Sequence, residues 1–246
     1  MALARADLES LLRARRLDRT LTTALAPPAP HDDTTVAASG LTALDAHLHG
    51  GFPRGHVSEL VGPRSAGRTS LALAAMAAAA ARGELVALVD ALDTFDVESA
   101  DAAGLDLDRL LWIRGHVVTN PGLCRDWNQR AIEQAVRAVA LVLQAGNFGL
   151  VVFDVADAPA EAVRRLPFTT WLRLQRMVEG TQTACLLIGT EPIARSAAGL
   201  TIRVGARAVA RFGPQLLEGL DVVVRGSSAR AVQRDTAITL AAVSHH

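Results

Sequence analysis

Short, largely apolar runs recur along the chain, and between them lie longer segments in which apolar residues return every three or four positions. The runs fall at 57–61, 85–89, 110–113, 150–153 and 184–188, the pattern of parallel strands covered on both faces. The segments at 71–82, 127–144 and 167–179 read as helices. The first is alanine-rich and stops at Gly83. The second carries Ile132, Val136, Val139 and Leu143 on one face and ends at Gly146, and the third has Trp171, Leu174 and Val178 as its inner stripe. A shorter helical piece lies between Ser39 and Gly51. Alternation of the two kinds of element predicts an α/β domain with a right-handed, mostly parallel sheet.

Beyond residue 200 the period changes to two. Apolar residues hold the even positions of 200–212, while Thr201, Arg203, Gly205, Arg207, Val209 and Arg211 hold the odd ones. This predicts one half-buried, antiparallel strand with an arginine row on its free face. The row reads either as a stripe that tracks phosphates or faces a partner, or as a solvated face. Two further strands, at 220–225 and 237–243, complete an antiparallel extension. At the other end, Leu8, Leu11, Leu12 and Leu17 lie against Arg13, Arg15, Arg16 and Arg19, predicting an amphipathic helix within residues 1–25. It is either a packing helix with a solvated arginine face or a nucleic-acid arm. Residues 26–37, with Pro27, Pro28 and Pro30, form a linker, and 38–246 form the core.

Composition narrows the chemistry. With 246 residues the chain can bury one sizeable core. Formal net charge is zero, so no global basic field holds DNA and any nucleic-acid contact is a local patch. All 25 basic residues are arginine, which excludes every mechanism that needs a lysine of this chain. Cys124 and Cys185 are the only cysteines, too few for a disulfide framework or a zinc site, and suited to a reducing cytoplasm. With its first twenty residues charged throughout, the chain is expected to carry no signal peptide, and no apolar run is long enough to span a membrane.

The stretch 61–70 reads V-G-P-R-S-A-G-R-T-S. An apolar strand enters two glycines five apart, and a helix leaves them, which is the layout of a phosphate-binding loop. Such a loop turns its backbone N–H groups inward and aims the positive end of the next helix at the same point. Gly62, Gly67, Thr69 and Ser70 fit that layout, with Thr69 placed to hold Mg2+, but Arg68 stands where lysine is expected. Asp154, closing the strand at 150–153, is the second metal-orienting group.

The phrases S-G-L-T-A-L-D, G-G-F-P-R-G, E-L-V-G-P-R-S-A-G-R-T-S, V-D-A-L-D-T-F-D and A-G-L-D-L-D-R-L-L follow one another within residues 39–111. Their order and spacing resemble the ATPase core of the RecA recombinases, and weaker similarity runs to about residue 240 without that family's C-terminal domain. The resemblance implies a RecA-like P-loop core, ATP between neighbouring subunits, and DNA held by two loops. It also implies several functional positions. The family's catalytic glutamate falls at Leu92, its adenine-stacking aromatic at Ser99 and its γ-phosphate-sensing glutamine at Glu191. The paired lysines that reach a neighbour's nucleotide fall at Arg225 and Ser227. The DNA loops correspond to 156–167, with Arg164 and Arg165, and 191–199, with Arg195.

Losing a general base typically costs ~10²- to 10⁴-fold in rate, and a guanidinium is no neutral substitute for an ammonium at a tight phosphate site. The expectation is a protein that leans away from catalysis and has no catalytic residue. It requires no cofactor, and its loop either binds ATP or ADP with Mg2+ weakly or persists only as a fold element. A disabled core behind an arginine-rich helix is similar to the ImuA accessory proteins of bacterial damage-induced mutagenesis, an impression to which L-P-F-T-T-W-L-R-L-Q-R at 166–176 adds. That resemblance implies a cytoplasmic protein whose partners are the RecA filament and a translesion polymerase complex, the latter an ImuB-like subunit with an error-prone replicative-type polymerase. DNA binding is then weak at most, through Arg203, Arg207, Arg211 or the N-terminal arginines. The alternative is an active DNA-dependent ATPase using Arg68, Asp93 and Asp154.

Overall fold

The computed structural model describes residues 35–117, 125–194, 199–205, 209–212, 217–228 and 231–241, all within the compact unit Asp32–His246. The expected N-terminal helix, nearly all of the linker and Cys124 lie outside these residues. The described residues open with β1 (Val36–Ala37), α1 (Thr42–His47) and β2 (Phe52–Pro53), and β1 pairs antiparallel with β2. Val36 and Ala37 are buried, so the last two residues of the expected linker belong to the packed core.

Then follow β3 (Val57–Val61), α2 (Arg68–Ala81), β4 (Leu85–Asp90), α3 (Val97–Ala102) and β5 (Leu110–Arg114). After them come α4 (Arg125–Ala145), β6 (Phe148–Asp154), α5 (Ala160–Arg164), α6 (Phe168–Val178) and β7 (Ala184–Gly189). The extension is β8 (Thr201–Val204), β9 (Val209–Phe212), β10 (Leu217–Ser228) and β11 (Ala231–Ala241). Among the described residues these form one nine-stranded sheet in the order β11-β10-β8-β3-β7-β6-β4-β5, with β9 also on β10. All pairings from β8 to β5 are parallel, and those of β10 are antiparallel.

Strand alternation divides the core into two layers. Val86, Leu88, Leu150, Val152, Leu186 and Ile188 pack with Leu71, Ala72, Ala75, Met76 and Ala79 of α2. Their neighbours Ala87, Val89, Val151, Phe153, Cys185 and Leu187 pack with Ile132, Val136, Val139 and Leu143 of α4 and with Trp171, Leu174 and Val178 of α6. The alanines of α2 let that helix lie close to the sheet.

One element differs from expectation. Residues 200–212 form two strands, not one, and the first is parallel to β3 as well as antiparallel to β10. The alternation itself holds in β8, where Ile202 and Val204 are buried and Arg203 is exposed. β8 lies between β3 and β10 in the sheet. After it, the Gly205 N–H reaches the Val223 carbonyl at 2.7 Å, and β9 resumes pairing farther along β10.

Candidate functional site

The parallel strand order brings the C-terminal ends of β3, β7, β6 and β4 side by side, so the glycine loop, Gly189, Asp154 and Asp90 share one rim. This is where open α/β sheets bind ligands. Two glycines shape the loop. A side chain on Gly62 would place its Cβ 2.8 Å from the Val204 carbonyl oxygen, and Gly67 enters α2 at φ 94° with no side-chain cap on the helix N-terminus. Those first N–H groups are the anion-binding feature of such a loop.

Arg68 is 6% exposed, and its guanidinium donates to the Gly189 carbonyl at 2.8 Å. It also stands 4.0 Å from Asp157 Oδ1, the oxygen that accepts from Arg64 Nε at 3.1 Å. The two guanidiniums flanking the loop therefore share one carboxylate of the same chain. Thr69 is exposed, and with Arg68, Asp90, Leu92, Asp154 and Asp157 it lines a cleft of about 80 Å³ backed by Leu73, Met76 and Ile188. That is room for a handful of water molecules. Ser70 lies on α2 outside the lining.

Asp154 and Asp90 are register partners at the ends of β6 and β4. Burial pushes the Asp154 carboxyl up to about 6. The Ala156 N–H bond at 2.9 Å opposes this, the Asp90 charge adds to it, and Arg68 opposes it. Asp90 is consumed by its own turn, accepting from Phe95 N at 2.8 Å and Leu92 N at 3.3 Å.

Leu92 contributes only hydrocarbon to the cleft. Asp93 turns away from it at φ 59° and receives two bonds from Arg114, at 2.6 and 2.7 Å. Those bonds hold its carboxyl below the usual range, and Arg114 in turn covers the Trp112 ring. Ser99 is engaged at the start of α3, where its N–H and hydroxyl both donate to Asp96.

The arginines separate into three groups. Arg164 pairs with Glu191 at 3.1 Å and Arg165 with Glu161 at 2.9 Å, and residues 160–164 are helical where the resemblance implies an open loop. Glu191 thus faces Arg164, not the glycine loop, and lines a separate small cavity with Gly189 and Val163. Arg203 on β8 stands directly across from Arg225 on β10, both exposed. Arg13, Arg15, Arg16, Arg195 and Arg207 lie outside the described residues, as does the side chain of Arg211.

Two residues that organise the site escape the motif. Asp157 follows the strand-end Asp154 by three positions in D-V-A-D, and a second carboxylate so close to the loop was the available signal. Glu59 is a carboxylate in the middle of a buried strand. It is 1% exposed and accepts from Ile193 N at 2.6 Å and Ala194 N at 2.8 Å, fixing the segment that leads from β7 to β8.

Comparison with known proteins agrees with this architecture. Residues 25–161, more than half of the chain, match the family described as the RecA N-terminal domain. The chain belongs to that family. It is 38% identical over 130 residues to Protein RecA of Streptomyces avermitilis, covering 52% of this chain and 31% of that one. Protein RecA of Chlorobaculum parvum is 40% identical over 122 residues, covering 49% and 31%. Protein RecA of Acholeplasma laidlawii is 38% identical over 121 residues, covering 49% and 32%. The matched part thus spans about a third of these relatives, and the family match at 25–161 includes the glycine loop. Among the described residues no helix is long and apolar enough to cross a membrane.

Proposed function

We propose that this RecA-like chain is a non-hydrolysing accessory protein of the DNA-damage response, of the ImuA kind. It works in the cytoplasm through contacts with the RecA filament, the translesion polymerase complex, or both. One observation carries the reading: the cation that should meet a phosphate is buried and bonded to the Gly189 carbonyl, beside a leucine where water would need a base. The first N–H groups of α2 would hold a phosphate weakly. Thr69 and Asp154 are then the groups for Mg2+, which would neutralise phosphate charge. DNA contact is weak and salt-sensitive, through Arg203 and its neighbours. The domain division at 1–25, 26–37 and 38–246 belongs to the same proposal, with the N-terminal helix as an appendage.

The test is a pull-down with purified RecA joined to a strand-exchange assay. Association with reduced exchange is expected, and neither association nor effect at micromolar concentration would overturn the RecA arm. The second reading, a DNA-dependent ATPase, draws on Thr69 and Asp154 in the cleft. It requires phosphate release that rises with single-stranded DNA and is lost in Asp154→Asn.

A further inference from the structure

The outward face of α6 carries a pattern that the core does not use. Trp171, Leu174 and Val178 are buried, and Gln175 pins the helix to β3 by accepting from Val57 N at 3.0 Å. At 100° per residue the exposed positions fall in one arc, in the order Phe168, Leu172, Arg176, Thr169, Arg173. The arc begins with an apolar lane, Phe168 at 50% and Leu172 at 43% exposure, and ends with a basic one.

Segment 164–178 holds four arginines and no carboxylate. Arg164 and Arg165 are already paired, whereas Arg173 and Arg176 have no acidic partner among the described residues. An isolated exposed Phe or Leu needs no explanation. Two of them one turn apart, beside two uncompensated guanidiniums, form a two-lane surface whose complement is specific.

We propose that this face of α6 docks an acidic amphipathic segment of a partner protein, with apolar anchors on Phe168 and Leu172 and carboxylates on Arg173 and Arg176. Apolar burial supplies the anchor and the charges set orientation. The proposal gives the accessory reading a surface without depending on it, since neither ATP nor RecA enters its test.

Three labelled helical peptides of about 15 residues, with leucines one turn apart and an adjacent lane of glutamate, glutamine or lysine, are titrated against the full chain by fluorescence anisotropy. The glutamate peptide is expected to bind about tenfold tighter than the glutamine one, with affinity falling as salt rises, and the lysine peptide not to bind. Phe168→Ser with Leu172→Ser should abolish binding. Arg173→Glu with Arg176→Glu should transfer it to the lysine peptide, a gain that misfolding cannot produce. Four results would each overturn the proposal: equal binding of the glutamate and glutamine peptides, no binding of any, and, in the Phe168→Ser, Leu172→Ser double variant, loss of a dimer or loss of binding to phosphatidylglycerol vesicles. The last two would make the face a self-interface or a membrane contact.

Discussion

Replacing Arg68 with alanine removes the charged donor to the buried Gly189 carbonyl and leaves it only the longer bond from the Gly62 N–H, at 3.3 Å. In a working phosphate loop the cation points at the ligand, and its loss leaves the empty fold intact. Here Arg68→Ala should destabilise the free protein by about 1–3 kcal/mol, read as a melting temperature lower by a few degrees. An unchanged melting curve would return Arg68 to a ligand-facing role. Asp157→Asn removes the counter-ion shared by Arg64 and Arg68. Partly exposed pairs are worth about 1 kcal/mol or less, so ADP affinity measured by calorimetry should rise, by about fivefold at most.

Asp154 gives a pH signature. Its folded-state value of about 6 lies above the ordinary 3.8, so the folded chain holds this proton more tightly than the unfolded one. The resulting stability is fully present below about pH 3.8 and is lost as pH rises to about 6, amounting to roughly 3 kcal/mol at the full shift. Urea unfolding of the parent minus that of Asp154→Asn should show this fall between pH 4 and 6. The subtraction removes the opposite contributions of Glu84 and Asp93, whose arginine partners hold them low.

At the scale of elements, β3 does more than lead into the loop. Through Glu59 it holds residues 193–194, and through its backbone it pairs with both β7 and β8. Glu59→Ala leaves two buried N–H groups without an acceptor, at about 1–3 kcal/mol each. Glu59→Gln keeps an acceptor oxygen and should cost clearly less. Denaturant midpoints of the two variants decide this, and equal losses would mean the charge itself, not the pair of bonds, is what matters. β4, β6 and β7 were legible because their centres are buried on both faces and read as apolar runs, whereas β3 carries Ser58 and Glu59 and β5 is an apolar run at the sheet edge. β8 and β9 were legible as alternation but not as two strands. Periodicity records which face is buried, whereas pairing depends on the edges the chain meets: β8 lies between β3 and β10, and β9 pairs with β10.

For the molecule as a whole, expected phosphate release is at background with and without single-stranded DNA, and Leu92→Glu alone should not restore it, because Arg68 remains turned to Gly189. Turnover in that variant would mean that the missing base was the sole defect. The glycines, Thr69 and Asp154 were readable as motif positions because a loop and a strand end fix them locally.

The role of Glu191 was not legible. The family resemblance set its carboxylate toward a phosphate, but its partner is Arg164, which comes from a helix 27 positions away. The same holds for Asp157 and for Arg68, whose acceptor on β7 is 121 positions distant. By itself the sequence determined the alternation of strand and helix, the glycine loop and the residues missing from its chemistry, because these depend on period, backbone freedom and residue type. Only the tertiary structure decided where the remaining charges point. A long guanidinium or a carboxylate takes a partner within its reach, and for Arg68, Asp157 and Glu191 that partner comes from a distant part of the chain.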